Sequence, residues 1–314
     1  LVVLDMQYSN IQEVWQDIKF VGNLKILNLN HSKCLTKTPD FTGLPRLEKL
    51  LLEGCTSLFE VHQSIGVLDR LVFLNLKDCK NIRNLPSSIW GLKSLAHLDL
   101  TGCSALEGLP ELLGKREGGL TKLSLQGCSR KLARKSRLSL LPSIRYLSPS
   151  ILDLCSLRIL SLRNCNLSEG DIPVDLRSLA SLETLDLSEN NFRSLPSSIS
   201  HLSSLVVLGL DRCTSLQVLR EFPPNLWALG ARGCTSLEKL PNLSNFKTVR
   251  HLSLDNCDRL AEIQGGENLD CIAVNHKESF ASKLADTFID IIYKVALSLS
   301  LLWLLSLLHI MISM

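Results

Sequence analysis

Leu47–Cys55 reads LEKLLLEGC, a nine-residue phrase of the form L-x-x-L-x-L-x-x-C, and the phrase returns along the chain. Leu71–Cys79 is LVFLNLKDC, Leu95–Cys103 is LAHLDLTGC, Leu120–Cys128 is LTKLSLQGC and Leu157–Cys165 is LRILSLRNC. Leu205–Cys213 (LVVLGLDRC), Leu226–Cys234 (LWALGARGC) and Val249–Cys257 (VRHLSLDNC) follow the same form. Leu182–Asn190 closes on Asn, and Leu1–Ser9 and Leu24–Ser32 close on Ser. The eleven copies start at 1, 24, 47, 71, 95, 120, 157, 182, 205, 226 and 249, so successive steps are 21–25 residues except for one of 37.

A period of 20–29 residues with this pattern is the leucine-rich-repeat signature. The two leucines of L-x-L fall on one face of a short strand, and a single strand cannot bury that face. Stacked copies make a parallel sheet with a continuous leucine core. The prediction is an α/β solenoid: a leucine-rich-repeat horseshoe with a concave parallel sheet of about eleven short strands, plus a C-terminal apolar helix. Counting the first Leu as position one, the Cys, Asn or Ser at position nine stands where the strand turns away. Its side chain can serve backbone groups the turn leaves unpaired. The solenoid is expected over 1–264, a partly helical junction over 265–294 and a hydrophobic tail over 295–314.

Of the eleven cysteines, eight hold position nine: Cys55, Cys79, Cys103, Cys128, Cys165, Cys213, Cys234 and Cys257. A metal site wants C-x-x-C pairs or histidines at fixed spacing, and neither occurs. The expected role is a ladder of small, buried, reduced side chains, which points to the cytosol. No metal or cofactor is expected. The net charge of +3 is too small to imply a nucleic-acid partner. The chain opens inside a repeat with no signal peptide, which suggests a piece of a longer array.

Between the strands, Val61–Leu71, Leu85–Leu95 (LPSSIWGLKSL) and Leu195–Leu205 (LPSSISHLSSL) read as turns or short helices on the convex side. The 37-residue step signals either a degenerate repeat or an inserted loop; it carries Lys122, Arg130, Lys131, Arg134, Lys135, Arg137 and Arg145. Phe222–Asn225 (FPPN) shortens its repeat, because Pro-Pro opposes helix. After Cys257 the period fades, with Leu269, Ile272 and Val274 as material for one last strand. The tail 295–314, VALSLSLLWLLSLLHIMISM, holds eleven Val, Leu or Ile residues among twenty. A helix of that length spans about 30 Å, the thickness of a bilayer core.

No catalytic constellation emerges, and the chain is not expected to be an enzyme. Gly108–Arg116 (GLPELLGKR) imitates a phosphate-binding loop but has the wrong spacing and lacks the closing Ser or Thr. His97 with Asp99, and His251 with Asp255, stand at outward strand positions without a neighbouring nucleophile. The informative surface is the concave one, formed by positions three, five and seven, where solenoids bind. Its candidate partner-binding residues are Lys49, Glu53, Phe73, Lys77, His97, Asp99, Lys122, Arg163, Asp186, Asp211, Arg232, His251 and Asp255. This mixture of charged, amide and apolar groups suits recognition of a protein.

The connectors carry a resemblance as well as the strands. LVVLDMQYSNIQEVWQD, LKILNLNHSKCLTKTPDFTGLPRLEKLLLEGCTSLFEVHQSIG and LPSSISHLSSLVVLGLDRCTSLQVLREFPPNL resemble plant intracellular immune receptors. These are nucleotide-binding leucine-rich-repeat receptors with a Toll/interleukin-receptor domain, of the tobacco mosaic virus resistance protein N-like kind. The resemblance covers about Leu1–Asp286 and implies the repeat portion only. It implies a protein partner: a pathogen effector, a guarded host protein or the receptor's own nucleotide-binding domain. The catalytic and nucleotide-binding domains of that family are absent from this sequence, so none of their residues carries over. The β-sandwich that usually follows is replaced by the apolar tail. The alternative is a membrane-anchored leucine-rich-repeat adaptor or receptor ectodomain that binds a protein or peptide. The expected location is cytoplasmic, with anchoring through 295–314 as the membrane-associated variant.

Overall fold

The computed structural model describes residues 1–15, 19–111, 119–128, 149–172, 175–245, 248–260, 263 and 271–273. Among them are twelve strands: β1 (Val3–Asp5), β2 (Ile26–Asn28), β3 (Lys49–Leu51), β4 (Phe73–Asn75), β5 (His97–Asp99), β6 (Lys122–Ser124), β7 (Ile159–Ser161), β8 (Thr184–Asp186), β9 (Val207–Gly209), β10 (Ala228–Gly230), β11 (His251–Ser253) and β12 (Cys271–Ala273). They form one sheet in chain order. From β1 to β11 the pairs are parallel, and position four faces position four, as in Leu4 with Leu27, Leu50 with Leu74 and Leu229 with Leu252.

The first eleven strands are the eleven phrases, each covering positions three to five. They are short because the backbone leaves the sheet direction soon afterwards. Position eight adopts a left-handed conformation in all eleven repeats, with φ between +53° and +73°. Four repeats place Gly there (Gly54, Gly102, Gly127, Gly233) and two place Asn (Asn164, Asn256), residues that accept this region cheaply. In the first ten repeats the position-eight amide donates to the position-seven carbonyl of the next repeat, at 2.6–2.9 Å, as Gly54 N does to Lys77 O. The turn therefore extends the ladder of hydrogen bonds between repeats.

Leucines at positions one, four and six fill the core: Leu50, Leu52, Leu74, Leu76, Leu98 and Leu100 are all at most 1 % exposed. Position nine closes it. Seven of its cysteines are buried and Cys257 is half-buried. Each of the eight thiols donates to the position-six carbonyl of the preceding repeat, at 3.0–3.3 Å, as Cys79 Sγ does to Leu52 O. Ser32 Oγ donates to Met6 O at 3.1 Å and Asn190 Nδ2 to Leu162 O at 2.9 Å, so three residue types perform one task. Burial pushes the thiols far up in pKa, to about 11 at Cys55 and about 12 at Cys165 and Cys213.

On the convex side the three connector segments are 3-10 helices, Gln63–Val67, Ser87–Gly91 and Ser197–His201. Pro86 and Pro196 precede two of them with φ of −66° and −64°, the value the ring imposes. Each helix turns one isoleucine inward: Ile65, Ile89 and Ile199. The 37-residue step does not hold a worn repeat of the sheet. β6 pairs directly with β7, Lys122 opposite Ile159, which leaves no place in the sheet for a further repeat. Cys165 Sγ still reaches Leu125 O at 3.0 Å, across 40 residues of chain. A four-residue helix, α1 (Pro149–Leu152), leads into β7.

Leu1–Ile272 forms one compact unit; of the second, Ala273–Met314, only Ala273 is among the described residues. Of the residues expected to form a last strand, Ile272 lies in β12, whereas Leu269 and Val274 lie outside the described residues. The expected boundaries at 264 and 294, the helical junction, the apolar tail 295–314, and Arg130, Lys131, Arg134, Lys135, Arg137 and Arg145 lie outside the described residues. Among the described residues, no helix is long and apolar enough to cross a membrane.

Two expectations follow from this packing. Leu98→Ala removes a fully enclosed side chain between two repeats and should cost about 2–5 kcal/mol in urea unfolding; a loss under about 1 kcal/mol would contradict its place in the core. The thiols, protonated in the folded protein and titrating near 9.0 once exposed, stabilise the fold below that pH. Their contribution should fade as pH rises from about 9 through 11 and 12. A thiol reagent at neutral pH should modify the exposed Cys34 and Cys155 rapidly and the seven buried ladder thiols only on unfolding. Rapid native labelling of the ladder would refute it.

Candidate recognition surface

Positions three, five and seven do face the concave side, but their side chains have unequal freedom. Position five mostly serves the strand's own exit. Asp99 Oδ1 accepts the amide of Thr101 at 2.9 Å, Asp186 Oδ1 that of Ser188 at 3.0 Å and Asn75 Oδ1 that of Lys77 at 2.9 Å. A short acceptor two residues before the amide it caps is the usual Asx turn. Asp99 and Asp186 thus have a structural duty in addition to their concave placement. Position seven works across repeats: Asp211 Oδ1 accepts the amide of Arg232 at 2.9 Å, and Ser188 Oγ accepts that of Asp211 at 3.1 Å.

The expected site residues assemble into groups along the sheet. On β3 and β4, Glu53 bonds Lys77 Nζ at 2.9 Å and Asn75 Nδ2 at 3.3 Å, beside the exposed Lys49. The Lys77 bond holds the Glu53 carboxyl down and the Lys77 ammonium up in pKa. Both groups are largely solvated, so the pair fixes geometry more than it stabilises. Next, His97 meets Phe73 edge-on with centroids 5.9 Å apart. Burial, and secondarily the charge of Lys122, lowers the His97 pKa, so this imidazole is neutral at pH 7. It is an aromatic packing partner here, and Asp99 is engaged with Thr101.

Toward β11 the charges interlock. Arg163 donates to Glu189 at 2.8 Å, and Arg212 reaches the same carboxylate at 3.1 Å. Burial raises the Glu189 pKa, but the two arginines outweigh it and the net shift is downward. Arg232 pairs with Asp255 at 3.0 Å, and Ser253 Oγ adds a bond to the same carboxylate oxygen at 3.3 Å. His251 lies against Trp227, centroids 4.1 Å apart. Asp211 differs from its neighbours: it joins none of these ion pairs, and desolvation raises its pKa.

Three residues were not legible as site members. Glu189 and Arg212 stand at position eight, outside the three columns read as the concave surface, and that position holds residues as different as Gly, Asn, Asp, His and Tyr in the other repeats. Trp227, 36 % exposed, stands at position two, outside the three columns read as the concave surface. The outward positions toward β11 are also more enclosed than alternation predicts: Thr184, Ser188, Val207, Ala228 and Ser253 are buried.

Among the described residues there is no cluster of three or more metal-ligating side chains. A cavity of about 10 Å³ behind β7 and β8, lined by Leu160, Leu162, Ile172 and Leu185 among others, is apolar and about the size of one water.

The family model for the Leucine Rich Repeat matches residues 156–179 and 181–202. TMV resistance protein N of Nicotiana glutinosa is 30 % identical over 307 residues, covering 72 % of this chain and 27 % of its own length. Disease resistance protein RPP2A of Arabidopsis thaliana is 38 % identical over 224 residues, covering 71 % of this chain and 12 % of its own length. RPS4 of Arabidopsis thaliana, also a disease resistance protein, is 31 % identical over 293 residues, 83 % of this chain and 24 % of its length. The chain therefore spans about a quarter or less of these relatives. Among solved structures, an LRR protein of Leptospira interrogans superposes with a TM-score of 0.50 at 23 % identity, over 78 % of this chain and 67 % of that one. The functional domain of InlJ from Listeria monocytogenes, described as including a cysteine ladder, gives 0.51 at 15 % identity, over 82 % and 54 %. These two likenesses concern the fold alone. By its eleven repeats and its sheet the chain is a leucine-rich-repeat solenoid, and over 71–83 % of its length it is similar to plant disease resistance proteins such as TMV resistance protein N.

Proposed function

We propose that the chain is the protein-recognition module of an intracellular plant immune receptor. Its partner is a pathogen effector, a guarded host protein or the receptor's own nucleotide-binding domain, and it is held by the concave face. One observation carries the reading. Positions four, six and nine repeat the same buried chemistry, whereas positions three, five and seven change from repeat to repeat on that uniform frame. A surface whose frame is fixed and whose decoration varies is suited to recognising one protein shape. Ten of the eleven cysteines, all but Cys271, are seen as free thiols, which supports a reducing compartment. A second reading, a membrane-anchored adaptor, is favoured by the apolar composition of 295–314.

The test is a display selection of plant and pathogen protein domains against the purified chain, repeated with two charge-exchanged variants. Glu53→Lys with Lys77→Glu, and Arg163→Glu with Glu189→Arg, keep the net charge while inverting the surface pattern. Captured partners should lose at least tenfold in affinity to one variant, with stability changed by no more than about 0.5 kcal/mol, the range for surface substitutions. Partners indifferent to both exchanges, yet lost on changing the convex Lys93 or Arg220, would contradict the assignment.

For the second reading, a tagged protein with and without 295–314 should be compared in carbonate-washed membranes. Retention that depends on the tail supports anchoring; a soluble full-length form ends it.

A further inference from the structure

The position-three column of the concave face carries two lysines and, in all eleven repeats, no carboxylate. Lys49 on β3 and Lys122 on β6 join none of the ion pairs among the described residues, whereas Lys25 and Lys77 are held by Glu48 and Glu53. Between the two lysines the same column holds Phe73 on β4 and His97 on β5, which meet edge-on. All four side chains reach solvent: Lys49 is exposed, and Phe73, His97 and Lys122 are half-buried. Leu51, two residues along β3 and the one leucine at position five, is half-buried as well. Burial keeps His97 neutral, so an uncharged aromatic pair stands between two cations.

The register fixes the spacing. Lys49 pairs with Phe73, Phe73 with His97 and His97 with Lys122. Three steps between neighbouring strands put the two lysine Cα atoms about 14 Å apart. In an extended chain, residues i, i+2 and i+4 point to one side, and i lies about 13 Å from i+4. A chain laid across the strands therefore sets i and i+4 over Lys49 and Lys122 and i+2 over the aromatic pair. Carboxylates complement the two lysines, and an apolar side chain at i+2 complements Phe73. The acids of this part of the face stand nearer the strand exits. Glu53, four residues after Lys49, is bound to Lys77, and Asp99, two residues after His97, accepts the amide of Thr101. Their like charge disfavours an acidic segment there and holds it to the position-three row.

We propose that the β3–β6 part of the concave face takes an extended acidic segment of a partner protein, laid across the strands. The segment carries Asp or Glu at i and i+4 for Lys49 and Lys122, and a large apolar side chain at i+2 for Phe73 and His97. The aromatic pair anchors it, and the solvated lysines set its charge and register. Steering by the two cations speeds encounter, and that contribution weakens with salt. The inference rests on the proposed role of the concave face and narrows it to four strands and one chemical class of segment.

The test uses blocked nine-residue peptides on a Gly/Ser background, each with a central Phe and one Glu on either side at separations of one to four residues. Binding is read by fluorescence polarisation against the full chain. It should peak with Glu two residues before and two after the Phe, weaken at least threefold as NaCl rises from 50 to 300 mM, and vanish when Lys replaces both Glu. Lys49→Ala and Lys122→Ala should each weaken it at least threefold and Phe73→Ala at least tenfold, while Lys93→Ala on the convex side should change it less than twofold. Thermal melts establish that these variants fold. Lys122→Glu should abolish binding of the two-Glu peptide and restore it to a peptide in which one Glu is changed to Lys, an exchange that a folding defect does not produce. Lack of that rescue would overturn the pairing with Lys122. Equal binding at all spacings would overturn the register, and no binding by any peptide would overturn the site. Each of these failures leaves the concave-face reading standing, which fails separately if captured partners ignore every concave exchange.

Discussion

A side-chain donor at the ninth position of each repeat reaches the carbonyl at the sixth position of the repeat before it, and the solenoid is continuous because this bond is made at every junction from β1 to β11. In eight of the repeats the position-six carbonyl also accepts the position-nine amide of its own repeat, as Leu52 O accepts Cys55 N at 3.2 Å. A buried carbonyl with two lone pairs is thereby satisfied twice in a place water does not reach. Cysteine is a weak donor, but its thiol packs as a small hydrophobe and leaves little polar surface to satisfy. Asn190 shows the other solution. Its amide donates to Leu162 O and Leu187 O and accepts from the amides of Cys165 and Leu167, which stitches the repeat entered through the long step firmly to the next.

The left-handed residue at position eight makes that donor possible, because it turns the chain inward at the right point. Its cost depends on the residue. Tyr8, His31, Glu189 and Arg212 lack the easy access of Gly or Asn to this region, and each carries roughly 1–2 kcal/mol of strain. They occur as neighbours that touch: Tyr8 stacks on His31 with centroids 4.9 Å apart, and Glu189 pairs with Arg212. A large side chain here also leans over the following repeat. His31 and Asp78 occupy the space where Gly54 and Gly102 would carry a Cβ, so these glycines are required by their neighbours as well as by φ.

The strands were legible because identical apolar positions recur at one spacing, and stacking then leaves a single register. The turn at position eight was not, since its occupants range from Gly to Tyr and only the backbone unites them. The long step could have been a worn repeat or an insertion; the pairing of Lys122 with Ile159 excludes a worn repeat of the sheet, and such pairing is a property of the sheet. On the concave face, alternation gave the direction of each side chain but not its freedom. Asp99 and Asp186 are drawn into capping amides two residues on, and Val207 and Ala228 are buried because larger side chains stand on either side. The grouping of Arg163 with Glu189 and Arg212 needed the positions of three separate repeats.

Amide hydrogen exchange resolved to single residues tests the coupling of repeats most directly. The position-eight amides of Gly54, Asp78, Gly102, Gly127, Glu189 and Gly233 lie in apparent loops, yet each is bonded to the next repeat. They should exchange as slowly as the position-four amides of Leu50, Leu74 and Leu98 in the adjoining strands. Exchange of these turn amides at the rate of free loops, with only the strands protected, would contradict a solenoid held together through positions eight and nine.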